Sequence, residues 1–143
     1  MTQHVRVTWA GGERFDGGRP GGPVMRMDGS GATAPSPVDT LLNALAACIS
    51  VDIIEILKKR RTPVRTFSVD VTGERVETIP RHLKHVILTF HIDGDGIDRR
   101  HAERAVDLSI TKYCSVRDSL RPDIHIDWSV TLNGEAADTP SVR

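Results

Sequence analysis

Hydrophobic positions along this chain follow two periods, and together they predict a mixed α+β fold. Apolar and polar residues alternate, as in half-buried strands, within "HVRVTW", "VRTFSVDVT", "LKHVILTFHI" and "IHIDWSVTL". The two middle segments predict an antiparallel pair joined near "TIPRH". The short "VMRMD" predicts a strand that pairs back as a hairpin, and the Gly- and Pro-rich "ERFDGGRPGGPV" before it predicts a turn. The polar tail from Asn133 predicts a loose end.

A long helix over about residues 37–61 is predicted in the first half of the chain. Ser36 supplies a hydroxyl at the N-cap, Pro37 suits the first helical position, and Asp39 lies in the first turn. The helix should end before Pro63. Apolar residues cover well over half of its circumference, which is typical of a helix buried on most sides. We therefore expect a homodimer with this helix near the interface; a central helix wrapped by its own sheet is the alternative.

Two further helical segments follow the strand pair. "RRHAERAVDLSITKYC" has its apolar residues at helical spacing, and Asp98 is its predicted N-cap. A break near Cys114 and Ser115 predicts the start of a short helix that ends before Pro122. Neither an internal repeat nor a linker divides the 143 residues, so residues 1–143 are predicted to form a single domain.

Composition narrows the partners and the compartment. Nineteen basic and nineteen acidic side chains balance, so net charge offers no attraction to nucleic acid or to an anionic membrane. No uninterrupted apolar run reaches the roughly 18–20 residues of a membrane span, and the N-terminus shows no secretion signal. These features predict a cytoplasmic protein, where thiols stay reduced unless they are catalytic or redox-sensing.

The six histidines, at positions 4, 82, 85, 91, 101 and 125, do not form a recognised metal-binding motif. His82 and His85 would point to opposite faces of one strand. The glycine-rich segment does not follow a strand and open a helix, as a phosphate-binding loop would. The sequence therefore predicts no metal and no bound cofactor.

Three blocks of the sequence resemble the osmotically inducible protein C-like family, which includes the organic hydroperoxide resistance proteins. They are "PSPVDTLLNALAACISVDIIEILKKRR" at 35–61, "AVDLSITKYCSVRDSL" at 105–120 and "VTWAGGERFDG" at 7–17. Their order and spacing agree with the family across nearly the full chain. The resemblance implies an α+β, OsmC-like fold in which antiparallel sheets pack around a long central helix in an intertwined homodimer.

The resemblance also implies a peroxidase that reduces hydroperoxides, preferably organic ones, without metal, haem or flavin. By position, Cys48 is similar to the peroxidatic thiol, whose thiolate becomes a sulfenic acid, and Cys114 to the resolving thiol, which forms a disulfide with it. An external dithiol, lipoyl-type in the family, then resets the pair. Arg14 matches the active-site arginine, whose permanent charge would stabilise the thiolate, and Arg19 is a weaker candidate.

The chain departs from the organic hydroperoxide branch at the start of the long helix. That branch places a glutamate directly after the helix-starting proline, where this chain has Val38, and the acid here is Asp39. One step along a helix is about 100° of rotation, so Asp39 either supports the arginine or serves only as a first-turn acid that complements the helix dipole. Asp52 and Glu55 are further candidates, with an ion pair between Glu55 and Lys59 as the alternative.

Two other functions are also compatible with this resemblance. A non-catalytic OsmC-like dimer would bind a small apolar ligand in a pocket, and a thiol redox sensor would use the cysteines without rapid turnover. Peroxide consumption with a dithiol reductant distinguishes these functions from the peroxidase.

Overall fold

The computed structural model describes residues 1–137 and 141–142 of the chain. These residues divide into two compact units, residues 1–43 and residues 44–143, and the division falls inside the long helix. The assignment of residues 1–143 to a single domain stays a prediction.

The first unit contains a three-stranded antiparallel sheet. Its strands are β1 (Arg6–Trp9), β2 (Arg14–Gly18) and β3 (Met25–Asp28), in that order across the sheet. The hairpin of β3 is confirmed, but the turn predicted for "ERFDGGRPGGPV" is wrong over Arg14–Gly18. This segment hydrogen-bonds to a strand on each side, and pairing along both edges outweighs a composition that favours a turn.

A buried carboxylate organises the loop between β3 and the long helix. Asp28 accepts hydrogen bonds from the hydroxyls of Thr33 at 2.6 Å and Ser30 at 2.7 Å, and from their backbone N–H groups at 3.0 and 2.9 Å. The hydroxyls of Thr33 and Ser30, followed by the backbone groups, hold the pKa of Asp28 far below its usual value. The carboxylate therefore remains ionised and fixes this loop.

The long helix, α1, runs from Pro37 to Lys59, close to its predicted bounds. The backbone N–H of Asp39 donates to Oγ of Ser36 at 3.1 Å, and the N–H of Ser36 donates to Oδ2 of Asp39 at 3.0 Å. This reciprocal pair is a capping box, which satisfies N–H groups that have no partner inside the helix. The helix start predicted at Ser36 is therefore confirmed.

At the C-terminal end of α1, Arg61 adopts a left-handed backbone conformation, which usually favours glycine. Arg61 has a φ of 65°, and the N–H of Thr62 donates to the carbonyl of Leu57 at 3.1 Å. One side of α1 is fully buried at four residues spaced by four: Leu45, Ile49, Ile53 and Leu57. By length and composition alone the helix could also cross a membrane, a test that the core helices of soluble proteins also pass.

The second unit holds a five-stranded sheet. Strands β4 (Thr66–Arg75), β5 (Leu83–Asp93), β6 (His125–Leu132) and β7 (Glu135–Ala136) lie in that order, and β8 (Ser141–Val142) pairs with β6. The antiparallel pairing of β4 with β5 is confirmed. The prediction of antiparallel sheets is wrong for β5 and β6, which are parallel. Parallel neighbours require a crossover connection, and the helices between these two strands provide it.

The predicted loose tail is also wrong in part, because β7 and β8 hydrogen-bond to β6. Residues 138–140 and 143 of that tail lie outside the described residues.

The crossover begins with α2 (Arg99–Leu108), continues through a π-helical turn (Ser109–Tyr113) and ends with α3 (Ser115–Asp118). Oδ1 of Asp98 accepts the N–H of Arg100 at 2.8 Å, which confirms the predicted N-cap. Alternate residues of β5 and β6 are buried, and α2 packs against β6. The opposite face of these strands carries mostly polar, partly exposed side chains, as their alternation predicted, with Ile87 as an exposed apolar exception.

Candidate active site

Cys114 lies at the junction between the π-helical turn and α3. Its N–H donates to the carbonyl of Ser109 at 2.8 Å, which closes the wide turn, and its extended backbone starts the next helix. The thiol occupies the N-cap position of α3, where Sγ accepts the N–H of Arg117 at 3.3 Å. The side chain is almost completely buried, with 4% of its surface exposed. The local backbone thus holds this sulfur in one place.

Burial raises the pKa of Cys114 to about 11. The backbone N–H groups of Arg117 and Val116 favour the thiolate and offset part of this effect, whereas the side chain of Cys48 hydrogen-bonds to Cys114 and raises its pKa further. Cys114 is therefore a protonated thiol at neutral pH.

Cys48 belongs to the middle of α1 and is half-buried. The structure brings its side chain close enough to Cys114 to influence the pKa of that thiol, although the two residues are far apart in the sequence. Both are free thiols. Cys48 is half-buried and Cys114 is almost completely buried, so the two thiols lie in unequal surroundings.

Two neighbouring pockets open around this region of the second unit. One, of about 220 Å³, is lined by Cys114 and by both segments that flank it in sequence. The other, of about 450 Å³, is lined mainly by apolar residues, including Leu120, Pro122 and Ile126. The two pockets share Ile110, Thr111, Arg117 and Asp118 in their walls, so an apolar pocket adjoins the pocket at the cysteine.

Arg14, the predicted active-site cation, is the first residue of β2 in the other unit. Its backbone closes the turn after β1, because the N–H of Arg14 donates to the carbonyl of Gly11 at 3.0 Å and its carbonyl accepts from Ala10 at 2.9 Å. Its Nε is buried and makes no hydrogen bond within the part of the chain that the structure describes. The guanidinium therefore keeps an unused donor, which suits an anionic partner. Arg19, the weaker candidate, is exposed.

The candidate supporting acids occupy different settings on α1. Asp39 uses Oδ2 to accept the N–H of Ser36 at the start of the helix. Asp52 is half-buried and Glu55 is exposed. A role for any of the three in holding Arg14 stays a prediction.

Sequence reasoning missed Arg117. Besides its bond to Cys114, its guanidinium donates to the carbonyls of Arg121 at 3.0 Å and Ile124 at 3.1 Å, which fixes the turn after α3. It also missed the π-helical turn, a distortion that recurs at functional sites. The sequence predicted only a break near Cys114 and Ser115. It did not predict Cys114 as the N-cap of α3, because cysteine is not among the preferred N-cap residues.

Comparison with known proteins gives a consistent result. The profile of the family described as OsmC-like protein matches residues 29–129. Protein YhfA of Escherichia coli K12 is 40% identical over 126 residues, which cover 87% of this chain and 94% of YhfA.

Solved structures share the fold. A hypothetical protein from Aquifex aeolicus VF5 has a TM-score of 0.80 and 25% identity, over 92% of this chain and 98% of that one. OhrB, the organic hydroperoxide resistance protein of Bacillus subtilis, has a TM-score of 0.58 and 18% identity, over 92% and 98% of the two chains. The mixed α+β fold is therefore that of OsmC-like structures.

Proposed function

We propose, from the premise that this chain belongs to the OsmC-like protein family, that it is a thiol-dependent peroxidase that reduces organic hydroperoxides. The family includes hydroperoxide-reducing enzymes, and some structural neighbours are named organic hydroperoxide resistance proteins. The observation that supports the proposal most directly is the proximity of the side chains of Cys48 and Cys114.

The proposed reaction proceeds in three balanced steps. The thiol of Cys48 loses its proton, its thiolate attacks the terminal oxygen of the peroxide, and the O–O bond breaks. Cys48 becomes a sulfenic acid, and the departing alkoxide takes up the proton to leave as the alcohol. The sulfur of Cys114 then attacks the sulfenic sulfur, an S–S bond forms and water leaves. An external dithiol, of lipoyl type, supplies two electrons and two protons to restore both thiols. No metal, haem or flavin takes part in these steps.

The unequal settings of the two sulfurs support this division of roles. Cys48 is half-buried whereas Cys114 is almost completely buried, which favours Cys48 as the sulfur that reacts with the peroxide. The raised pKa of Cys114 keeps its proton available to donate to a thiolate at Cys48. The two thiols are neighbours in the fold, as the disulfide step requires.

Arg14 is proposed to stabilise the thiolate and polarise the peroxide. Its permanent charge and the unpartnered, buried Nε support this role. Asp39 is proposed only as the helix cap, since its carboxylate already serves Ser36. Val38 at the glutamate position of the peroxidase branch predicts slower turnover than in that branch.

The apolar pocket favours a second candidate function, which is binding of a small apolar ligand without catalysis. Its volume of about 450 Å³ is within the usual range for small-molecule sites. In the peroxidase, the same pocket is proposed to hold the alkyl part of an organic hydroperoxide. Discrimination between cumene hydroperoxide and hydrogen peroxide tests this role, because hydrogen peroxide has no alkyl group to place there.

We also propose a cytoplasmic homodimer. Apolar side chains of β1 are exposed, with Val7 at 58% and Trp9 at 67%, and so are Val51 at 62% and Ile54 at 39% on α1. Burying these residues against a second copy would remove apolar surface from water. Light scattering at micromolar concentration should give twice the chain mass, and a monomeric mass would contradict the proposal.

The decisive experiment measures peroxide consumption with dithiothreitol for the wild type and four variants. Cys48→Ser should abolish turnover, and Cys114→Ser should still form a sulfenic acid but no internal disulfide. Arg14→Ala should slow the reaction strongly, whereas Arg19→Ala, an exposed arginine in the same unit, is the matched control and should not.

Mild peroxide should also lower the mass of the wild type by about two hydrogens, which reports the internal disulfide. Equal rates for all five proteins would favour the ligand-binding function. Formation of the disulfide without sustained consumption of peroxide would instead favour the redox sensor.

A further inference from the structure

A cluster of two imidazoles and one carboxylate lies on the polar face of the second sheet. His125 and Asp127 are two residues apart in β6, so they share a face, and His85 is the register partner of His125 on the parallel strand β5. None of the three lines either pocket near Cys114. We propose that His85, His125 and Asp127 form a binding site for a zinc ion.

The distances in this cluster are close to those of a zinc site. The three ligand atoms lie within 4.8 Å of one another. Nε2 of His125 is 3.2 Å from Oδ1 of Asp127, and Nε2 of His85 is 2.6 Å from Oδ2. Tetrahedral zinc with bonds of about 2.0–2.1 Å separates its ligand atoms by about 3.3–3.4 Å. The two distances run to different oxygens of Asp127. The His125 pair is near the tetrahedral separation, and the His85 pair must open by about 0.7 Å.

The carboxylate of Asp127 has one oxygen that accepts no hydrogen bond among the described residues and lies close to His125. Oδ1 of Asp127 is buried and makes no hydrogen bond within residues 1–137 and 141–142, despite its short distance to His125. A buried oxygen without a donor is unfavourable, and a bound cation would satisfy it. Two neutral imidazoles and one carboxylate are also a donor set that zinc prefers.

A second carboxylate is placed to orient one of the ligands. When Nε2 of His85 faces the metal, Nδ1 carries the proton, and Nδ1 lies 3.7 Å from Oε2 of Glu74. The other oxygen of Glu74 is held by Lys84 at 3.1 Å. Histidines that bind metals usually donate their second N–H to such a carboxylate. Three protein ligands would leave the fourth position of the ion to water.

The test is calorimetric titration with Zn²⁺ of a tag-free protein that carries Cys48→Ser and Cys114→Ser, so that the thiols cannot bind the ion. We expect one zinc per chain. Outer partners of a metal-binding histidine are typically worth about 10–100-fold in affinity. His125→Gln and Asp127→Asn should therefore weaken binding by about 100-fold or more, and Glu74→Gln by about 10-fold.

His91 provides the matched control. It lies on β5 and binds a carboxylate, Asp70, at 2.7 Å, but no third ligand group joins this pair among the described residues. His91→Gln should leave the affinity unchanged. In NMR spectra, zinc should shift the ring signals of His85 and His125 and leave those of His91 in place.

Absence of binding at millimolar zinc would overturn the proposal, and so would unchanged affinity in His125→Gln. Equal shifts at His91 would show non-specific binding and would also refute the site. None of these three outcomes bears on peroxide reduction, which depends on the cysteines.

Discussion

Cys114 should react slowly with iodoacetamide as long as the protein is folded. The reactive species is the thiolate, and burial raises the pKa of Cys114 from an ordinary value of 9.0 to about 11. Near neutral pH this shift lowers the thiolate fraction about 100-fold. A thiolate of higher pKa is intrinsically more nucleophilic, with a Brønsted coefficient of about 0.4–0.5, which returns about 6–10-fold. The net expectation is a rate about 10-fold below that of the same cysteine in the unfolded chain, before any steric protection.

The assay follows labelling of each cysteine by peptide mass spectrometry at pH 7.5, in buffer and in urea. Cys48, the more accessible sulfur, should be labelled first in the folded protein. The labelling rate of Cys114 should keep rising with pH beyond pH 10, since its pKa is about 11. Unfolded protein is the matched reference, because the sequence around each thiol is unchanged.

One result would refute this reasoning. If Cys114 is labelled as fast in the folded protein as in urea, or ahead of Cys48, then the enclosed, protonated thiol is wrong. The proposed division into peroxidatic and resolving roles would lose its main support.

Three predictions concern stability. Ile53→Ala removes a fully buried side chain and should cost about 2–5 kcal/mol of unfolding free energy, measured by urea denaturation. Arg61→Gly relieves a positive φ at the end of α1 and should raise stability by about 0.5–1 kcal/mol; an unchanged or lower melting temperature would contradict this. Asp28→Asn should destabilise the protein at pH 7. Because the pKa of Asp28 is depressed in the folded protein, its carboxylate contributes to stability above the unfolded-state pKa of about 3.9. This stabilisation is lost as the pH falls toward the folded-state pKa. The urea midpoints of the wild type and Asp28→Asn should therefore converge below pH 4.

Most of the helices and strands could be predicted from local pattern. Alternation identified β4, β5 and β6, and the caps at Ser36 and Asp98 were predicted correctly, because each depends on residues within one turn or one strand. The segment that forms β2 was predicted to be part of a turn, since the stretch "ERFDGGRPGGPV" is rich in glycine and proline. This segment forms a strand because β1 and β3 pair with its two edges, and the local sequence does not contain that information.

The candidate site divides in a similar way. Three sequence blocks identified the family, and its profile matches residues 29–129, which contain the blocks at 35–61 and 105–120. The resemblance assigned Cys48, Cys114 and Arg14 their roles, which stay predictions. It could not give the proximity of the two sulfurs, the raised pKa of Cys114 or the part played by Arg117. Each of these depends on where α3 begins after the π-helical turn.

What the sequence by itself determined is therefore the set of local elements and the family, because repeating patterns and short motifs act over a few residues. The tertiary structure alone decided the parallel pairing of β5 with β6, which sets His85 beside His125 and Asp127. The spacing of the histidines in the sequence indicated no metal site, since the ligands come from two strands joined by a long crossover. Residues far apart in the chain meet only when packing and strand register bring them together, and that information is not contained in any one segment.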